Sequence, residues 1–214
     1  MLDAKTRTAT ETLSADNGPS LDWPARIENY RQRFGAAYLG DGEGPHLENN
    51  WITGVWFMGN SYQKRDAYYG AFQGNFLKRI AALFPDRRRT LHLFAGRVDL
   101  TAFPGDTVDS NPALAPTYCC NAETCDGVPL HQYDFVLADP PYSTSDAERY
   151  GQCMVNRNKV VQTLSGGLPS GAFIVWLDQV LPMYRKAELK IEAVIGIVGS
   201  TNHRFRVLTV FRRL

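Results

Sequence analysis

Apolar and polar positions divide the chain into an N-terminal part with helical spacing and a C-terminal part of short apolar runs. Residues 1 to 20 are rich in Thr, Ser, Asp and Ala and carry no apolar period, which predicts a mobile arm. Trp23 to Tyr38 predicts an amphipathic helix, ended by the loop Gly40-Asp41-Gly42-Glu43-Gly44-Pro45. Aromatics crowd Trp51 to Tyr69, and core packing is the reading for Trp51 and Trp56. Phe72 to Phe84 predicts a second helix, with Phe76, Leu77, Ile80, Leu83 and Phe84 on one side and Pro85 as its stop.

Beyond Pro85 the apolar runs shorten and are separated by turns and helical segments, the pattern of a parallel sheet built from strand-helix-strand units. The runs are Thr90–Phe94, Thr107–Asp109, Pro116–Cys120, Phe135–Ala138 and Ala172–Leu177, with a helix expected over Asn156 to Leu164. Ile191–Val198 and Arg206–Phe211 are separated by only a few residues, so they pair as an antiparallel hairpin. The fold class is therefore α/β, a mostly parallel sheet closing in an antiparallel C-terminal hairpin.

With 214 residues, the expectation is one domain over residues 21–214 preceded by the arm. No apolar run approaches the ~18 residues of a membrane span, and the N-terminus lacks the apolar centre of a secretory signal, so a cytoplasmic protein is expected. Cys119, Cys120, Cys125 and Cys153 form no C-x-x-C pair, and no metal is expected. The net charge of +1 gives no global attraction to a polyanion, although Arg87, Arg88, Arg89 and Arg204, Arg206, Arg212, Arg213 are local clusters.

Asp139-Pro140-Pro141-Tyr142 directly follows the run Phe135–Ala138. Ligands of open α/β sheets sit outside the carboxyl ends of strands, which places this tetrapeptide at a site. The two prolines fix an extended segment without N–H donors and leave carbonyls to face a ligand. An exocyclic amine on a nucleobase is a poor nucleophile, because its lone pair is delocalised into the ring. The Asp139 carboxylate and the Pro140 carbonyl would accept its two N–H groups and localise that lone pair, while Tyr142 would stack on the base. A rigid turn after a strand is the plainer alternative.

These residues resemble the D-P-P-Y motif of class I S-adenosylmethionine-dependent amino-methyltransferases, most typically DNA adenine-N6 enzymes. The resemblance implies a Rossmann-like seven-stranded sheet flanked by helices, S-adenosylmethionine as cofactor and DNA as partner. It also assigns roles to other positions. Leu91-His92-Leu93-Phe94-Ala95-Gly96 looks like the first cofactor motif of these enzymes, in which Phe94, Ala95 and Gly96 approach the methionine part. His92 stands where an acid is common, and Val98 where a second glycine is common. Asp109 and Ser110 would meet the cofactor ribose, Asn121 and Ala122 its adenine, and Tyr69 and Gly70 its methionine carboxylate, with Asp139 counted as a cofactor contact as well as a catalytic residue. His203 and Arg204 would contact nucleic-acid phosphate. Cofactor motifs thus span residues 68–122, and the catalytic motif spans 139–142. The pattern leaves three alternatives open: an RNA methyltransferase acting on guanine N2 or adenine N6, a protein amino-methyltransferase, and a non-catalytic binding protein of the same fold.

Overall fold

A computed structural model describes residues 20–35, 46–48, 51–59, 72, 75–143, 147, 154–199 and 205–214. The arm expected over residues 1–20 lies outside these residues except for Ser20. In chain order the elements are α1 (Trp23–Phe34), β1 (His46–Glu48), β2 (Trp51–Met58), α2 (Phe76–Leu83), β3 (Thr90–Leu93), β4 (Asp106–Asp109), β5 (Tyr118–Cys119), β6 (Phe135–Ala138), α3 (Arg157–Gly167), β7 (Phe173–Asp178), β8 (Leu189–Gly199) and β9 (Phe205–Arg213). Short 3₁₀ turns at Pro112–Leu114 and Leu130–Gln132 lie on either side of β5.

The strands form one sheet in the order β1-β2-β8-β9-β7-β6-β3-β4-β5. From β7 through β5 every pairing is parallel, whereas β9 runs antiparallel to both β7 and β8. The expected Rossmann-like sheet of seven strands with its closing hairpin is present. β1 and β2 lengthen it to nine, because Trp51–Met58 pairs in parallel with β8. Ile52, Trp56 and Met58 enter the core from one side of β2, while Trp51, Val55 and Phe57 on the other side are exposed. Trp56 is thus a core residue as expected and Trp51 is not, since strand alternation turns it outward.

Alternation also explains why β6 and β7 read as unbroken apolar runs. Phe135, Leu137, Phe173, Val175 and Leu177 join the core on the side of α1 and α2, and Val136, Ala138, Ile174 and Trp176 join that of α3. Strands covered on both faces need no polar alternation. Between β3 and β4, turns fill residues 94–105. Gly105 lies against β3 so closely that a Cβ there would stand 2.7 Å from the Thr90 carbonyl oxygen, which sets this connection tight to the sheet.

α1 begins where the Asp22 carboxylate accepts the Ala25 N–H at 2.9 Å, and it ends at Gly35, whose φ is 62°. Its inward face carries Tyr30, stacked on Trp56 at 5.6 Å, and the fully buried Arg26. The Arg26 guanidinium lies 4.9 Å from the ring centres of both Phe84 and Phe173. It pairs with Asp86 through both terminal nitrogens and also donates to the Leu83 carbonyl. Trp23 adds an indole hydrogen bond to Glu192 at 2.8 Å, at the point where the β8–β9 register shifts.

Arg26→Ala removes a fully buried cation, leaves Asp86 without its cationic partner and opens space beside two aromatic rings. A loss of roughly 3 kcal/mol in unfolding free energy is expected, read as a lower urea midpoint at unchanged slope.

Candidate active site at the strand ends

β5, β4, β3 and β6 are neighbours and run the same way, so the segments leaving them open onto one edge of the sheet. Leu93 is in register with Val108 on one side and Ala138 on the other. The next residues are Phe94, Asp109 and Asp139. Parallel pairing therefore collects three of the four motif segments singled out in this part of the sequence, and Asn121-Ala122 follows β5 just beyond them.

After β3 the chain turns through Phe94 at φ 57° and Gly96 at φ 51°. For phenylalanine this is a sparsely populated conformation that its surroundings must hold. Ala95 donates to the Val108 carbonyl at 3.2 Å, and Val98 closes a turn onto the Ala95 carbonyl at 3.0 Å. The Gly96 N–H donates to Asp109 Oδ2 at 2.9 Å, while Asp109 Oδ1 accepts the Asn111 N–H at 2.9 Å. Asp109 thus forms an Asx turn and also braces the glycine turn of the neighbouring strand. Each of its oxygens keeps a lone pair beyond these bonds, and the residue is only partly buried.

Neither departure from the motif obstructs this turn. His92 is buried, donates Nε2–H to the Phe103 carbonyl at 3.0 Å and meets the Phe103 ring edge-on. Burial lowers its pKa to about 4, so it is neutral at physiological pH. Val98 packs against the core on the α1/α2 side. Ser110 and Asn121 are exposed, and the Asn121 side chain accepts the Glu123 N–H at 2.8 Å. Ala122 is buried against the α3-side core.

Asp139 is partly buried, and the Tyr142 hydroxyl donates to its Oδ1. Burial pushes the Asp139 carboxyl up to about 7; the Tyr142 hydrogen bond and the Arg206 charge oppose that rise, and the nearby Asp178 carboxylate adds to it. Arg206 from β9 sits 4.6 Å over the Tyr142 ring, so one ring face is covered by a cation. Among the described residues none donates to the Pro140 carbonyl. The carbonyls of Pro141 and Tyr142 instead accept from Arg157 Nη2, at 3.5 and 3.1 Å.

Arg157, Asp178 and Arg206 are side chains of this site that sequence reasoning did not assign to it. Asp178 carried a usable signal, as an acid ending an apolar strand in the manner of Asp109 and Asp139. Arg157 carried none, since it reaches the motif only through the packing of α3. Tyr69, Gly70, His203 and Arg204 lie outside the described residues. Arg87 and Arg89 are at the opposite, amino end of β3, stacked on Phe103 and Tyr133. Among the described residues no helix is long and apolar enough to cross a membrane, and no cluster of His, Cys, Asp and Glu could hold a metal ion.

No protein-family model matches the chain, and no curated protein matches its sequence. Among solved structures it is similar to TrmN from Thermus thermophilus, with a TM-score of 0.50 and 13% identity over 67% of this chain and 49% of that one. It is also similar to the N-methyltransferase NodS from Bradyrhizobium japonicum WM9, with a TM-score of 0.41 and 12% identity over 59% of this chain and 86% of that one. The chain spans about half the length of the TrmN chain, 49%. At 13% identity the likeness to TrmN establishes the fold alone, a Rossmann-like sheet with an antiparallel closing hairpin.

A carboxyl whose pKa rises on folding stabilises the folded state most when protonated, so its contribution is present below pH 4 and declines as pH rises through about 7. Asp139→Asn removes that dependence. Between pH 4 and pH 8 the parent should lose roughly 1–3 kcal/mol of stability relative to the variant, discounted from the full shift because some solvent reaches the side chain. Urea melts at the two pH values check this; parallel pH profiles for the two proteins would contradict it.

Proposed function

We propose that this chain transfers a methyl group from S-adenosylmethionine to an exocyclic amino nitrogen, with N6 of adenine in DNA as the leading substrate. The observation that carries the reading is Asp139: a partly buried strand-end carboxylate, followed by two prolines, beside the left-handed turn at Phe94–Gly96. The cofactor, when bound, supplies a methyl group activated on a sulfonium. The turn fits such a molecule, because Gly96 carries no side chain at the strand edge and Asp109 holds lone pairs for ribose hydroxyls. Phe94, Ala95, Gly96, Asp109, Ser110, Asn121 and Ala122 are the proposed cofactor contacts, with Tyr69 and Gly70 from the preceding segment.

The remaining chemistry belongs to the chain's own residues. Asp139 accepts one amine N–H and the Pro140 carbonyl the other, which turns the nitrogen lone pair toward the methyl group and offsets positive charge as it develops. Asp139 must be ionised to do this, so turnover rises with pH through about 7. Tyr142 must give up its hydrogen bond to Oδ1, or the amine must use Oδ2. Its ring then offers the face that Arg206 does not cover to the base, which has to leave the duplex stack to reach it. His203 and Arg204, in the β8–β9 connection, are the proposed phosphate contacts.

Two substitutions test the two halves of the site. Asp109→Ala should weaken S-adenosylmethionine binding by ~10–100-fold in calorimetry, since it removes a charged acceptor and the brace on Gly96. Unchanged affinity with a lowered melting temperature would leave Asp109 as a turn residue only, and no heat from the parent protein would favour a non-catalytic binding protein. Asp139→Ala should lower the turnover number by ~10²–10³ while cofactor affinity stays within a few-fold of the parent, and Asp139→Asn should keep partial activity at most. Transfer by Asp139→Ala at the parent rate would reduce Asp139-Pro140-Pro141-Tyr142 to a rigid turn.

A further inference from the structure

Arg157 occupies the first position of α3, after the Asn156 cap that accepts the Lys159 N–H at 3.1 Å. A cation there opposes the helix dipole, and the first turn of α3 holds no acid to offset it. A residue that breaks the local rule needs a compensating contact elsewhere. Arg157 has two.

Its Nε and Nη2 grip the fully buried Asp178 carboxylate at the end of β7, at 2.5 and 3.1 Å. The same Nη2 donates to the Tyr142 carbonyl at 3.1 Å and reaches the Pro141 carbonyl at 3.5 Å. Asp178 is in turn fixed by the Trp176 indole N–H at 3.2 Å and the Gln179 N–H at 2.7 Å, so both of its oxygens are fully engaged. A plain structural ion pair would join α3 to β7 and stop there. This one continues into the backbone just after the two acceptors assigned to the substrate amine. Prolines supply no N–H through which the sheet could hold that segment, and the guanidinium takes over the task from the carbonyl side.

We propose that Arg157 is a positioning residue: by tying the Pro141 and Tyr142 carbonyls to the buried Asp178 carboxylate, it sets the direction in which Asp139 and the Pro140 carbonyl face the reacting amine. The assignment rests on the methyl-transfer reading for what is positioned, but the clamp itself is visible without it. It also has an electrostatic side. Among the described residues, the charged and titratable groups that act on Asp139 are Tyr142 from its own segment, Arg206 from β9 and Asp178 from β7. Asp178 makes Asp139 harder to ionise, and the Arg157 guanidinium paired with it offsets part of that negative charge.

Three variants separate the two effects, with Asp139 titrated by carboxyl carbon NMR and methyl transfer measured as turnover number and KM. Arg157→Gln removes the charge and should move the Asp139 midpoint upward. Asp178→Asn removes the opposing carboxylate and should move it downward. Arg157→Lys keeps the charge but cannot fork between a carboxylate and a carbonyl, so the midpoint should stay near that of the parent. Turnover in Arg157→Lys should nonetheless fall ~10–100-fold with KM within about twofold, the signature of misplaced acceptors. If Arg157→Gln does not fold, Asp178→Asn carries the titration arm alone, since it removes the buried charge rather than stranding it. An unmoved midpoint in the charge-changing variants together with parent turnover in Arg157→Lys would reduce the pair to a strut between α3 and β7. No methyl transfer by the parent protein overturns the proposed function instead, and the titration still decides whether the clamp acts on Asp139.

Discussion

The site depends on the parallel register that sets Leu93 of β3 between Val108 of β4 and Ala138 of β6. Because the strands run the same way, one step further along each chain lies a residue at the strand's last position or just beyond it. Those residues are Phe94, Asp109 and Asp139, separated in sequence but adjacent in space. A slip of one residue would turn Asp109 or Asp139 to the other side of its strand, and the burial of β3 and β6 on both faces forbids it. The apolar core thereby fixes the polar edge, and the hydrogen bond from Gly96 to Asp109 registers the result in the backbone.

Two arginines then anchor the sheet on its opposite faces. Arg26 lies among Phe84, Phe173 and Asp86 on the α1/α2 side, and Arg157 is bound to Asp178 at the α3 terminus. Arg26 sits between aromatic rings and reaches a partly exposed carboxylate, an arrangement that secures α1 against the sheet. Arg157 pairs with a carboxylate that has no exposure and spends a further donor on the carbonyls of Pro141 and Tyr142. The first arrangement serves packing, and the second couples packing to the proposed acceptors. Asp139 lies between these influences, raised by burial and by Asp178, and relieved by Tyr142 and Arg206.

Much of the sheet was legible because fully covered strands leave unbroken apolar runs. β6 was bounded to the residue at Phe135–Ala138, and β7, β8 and β9 to within one or two residues at each end. β2 was not legible, since Trp51, Trp56 and Phe57 read as general aromatic density although strand alternation sends Trp56 inward and Phe57 outward. The apolar runs did not distinguish a turn from a helix between β3 and β4, and Gly105, packed against Thr90, closes a link made of turns. At the site, Asp109 and Asp139 were legible as acids at strand ends. The contacts of Arg157 and Arg206 were not, because each arises from the packing of elements far apart in sequence. The same holds for His92: the sequence marks it as a departure from a cofactor motif, and only the structure reveals it as the residue that holds the Phe103 loop.

The central claim is that the edge formed by β3, β4 and β6 carries a methyl group to an exocyclic amine. The most direct measurement is incubation of the protein with S-adenosylmethionine bearing a deuterated methyl group and, separately, unmethylated DNA, RNA or a mixed protein extract, followed by complete digestion and mass spectrometry. The account predicts deuterated N6-methyladenine from the DNA. Label in an RNA nucleoside or an amino acid would move the substrate while keeping the chemistry, and an absence of labelled amine from all three substrates, with the cofactor unconsumed, would contradict the account.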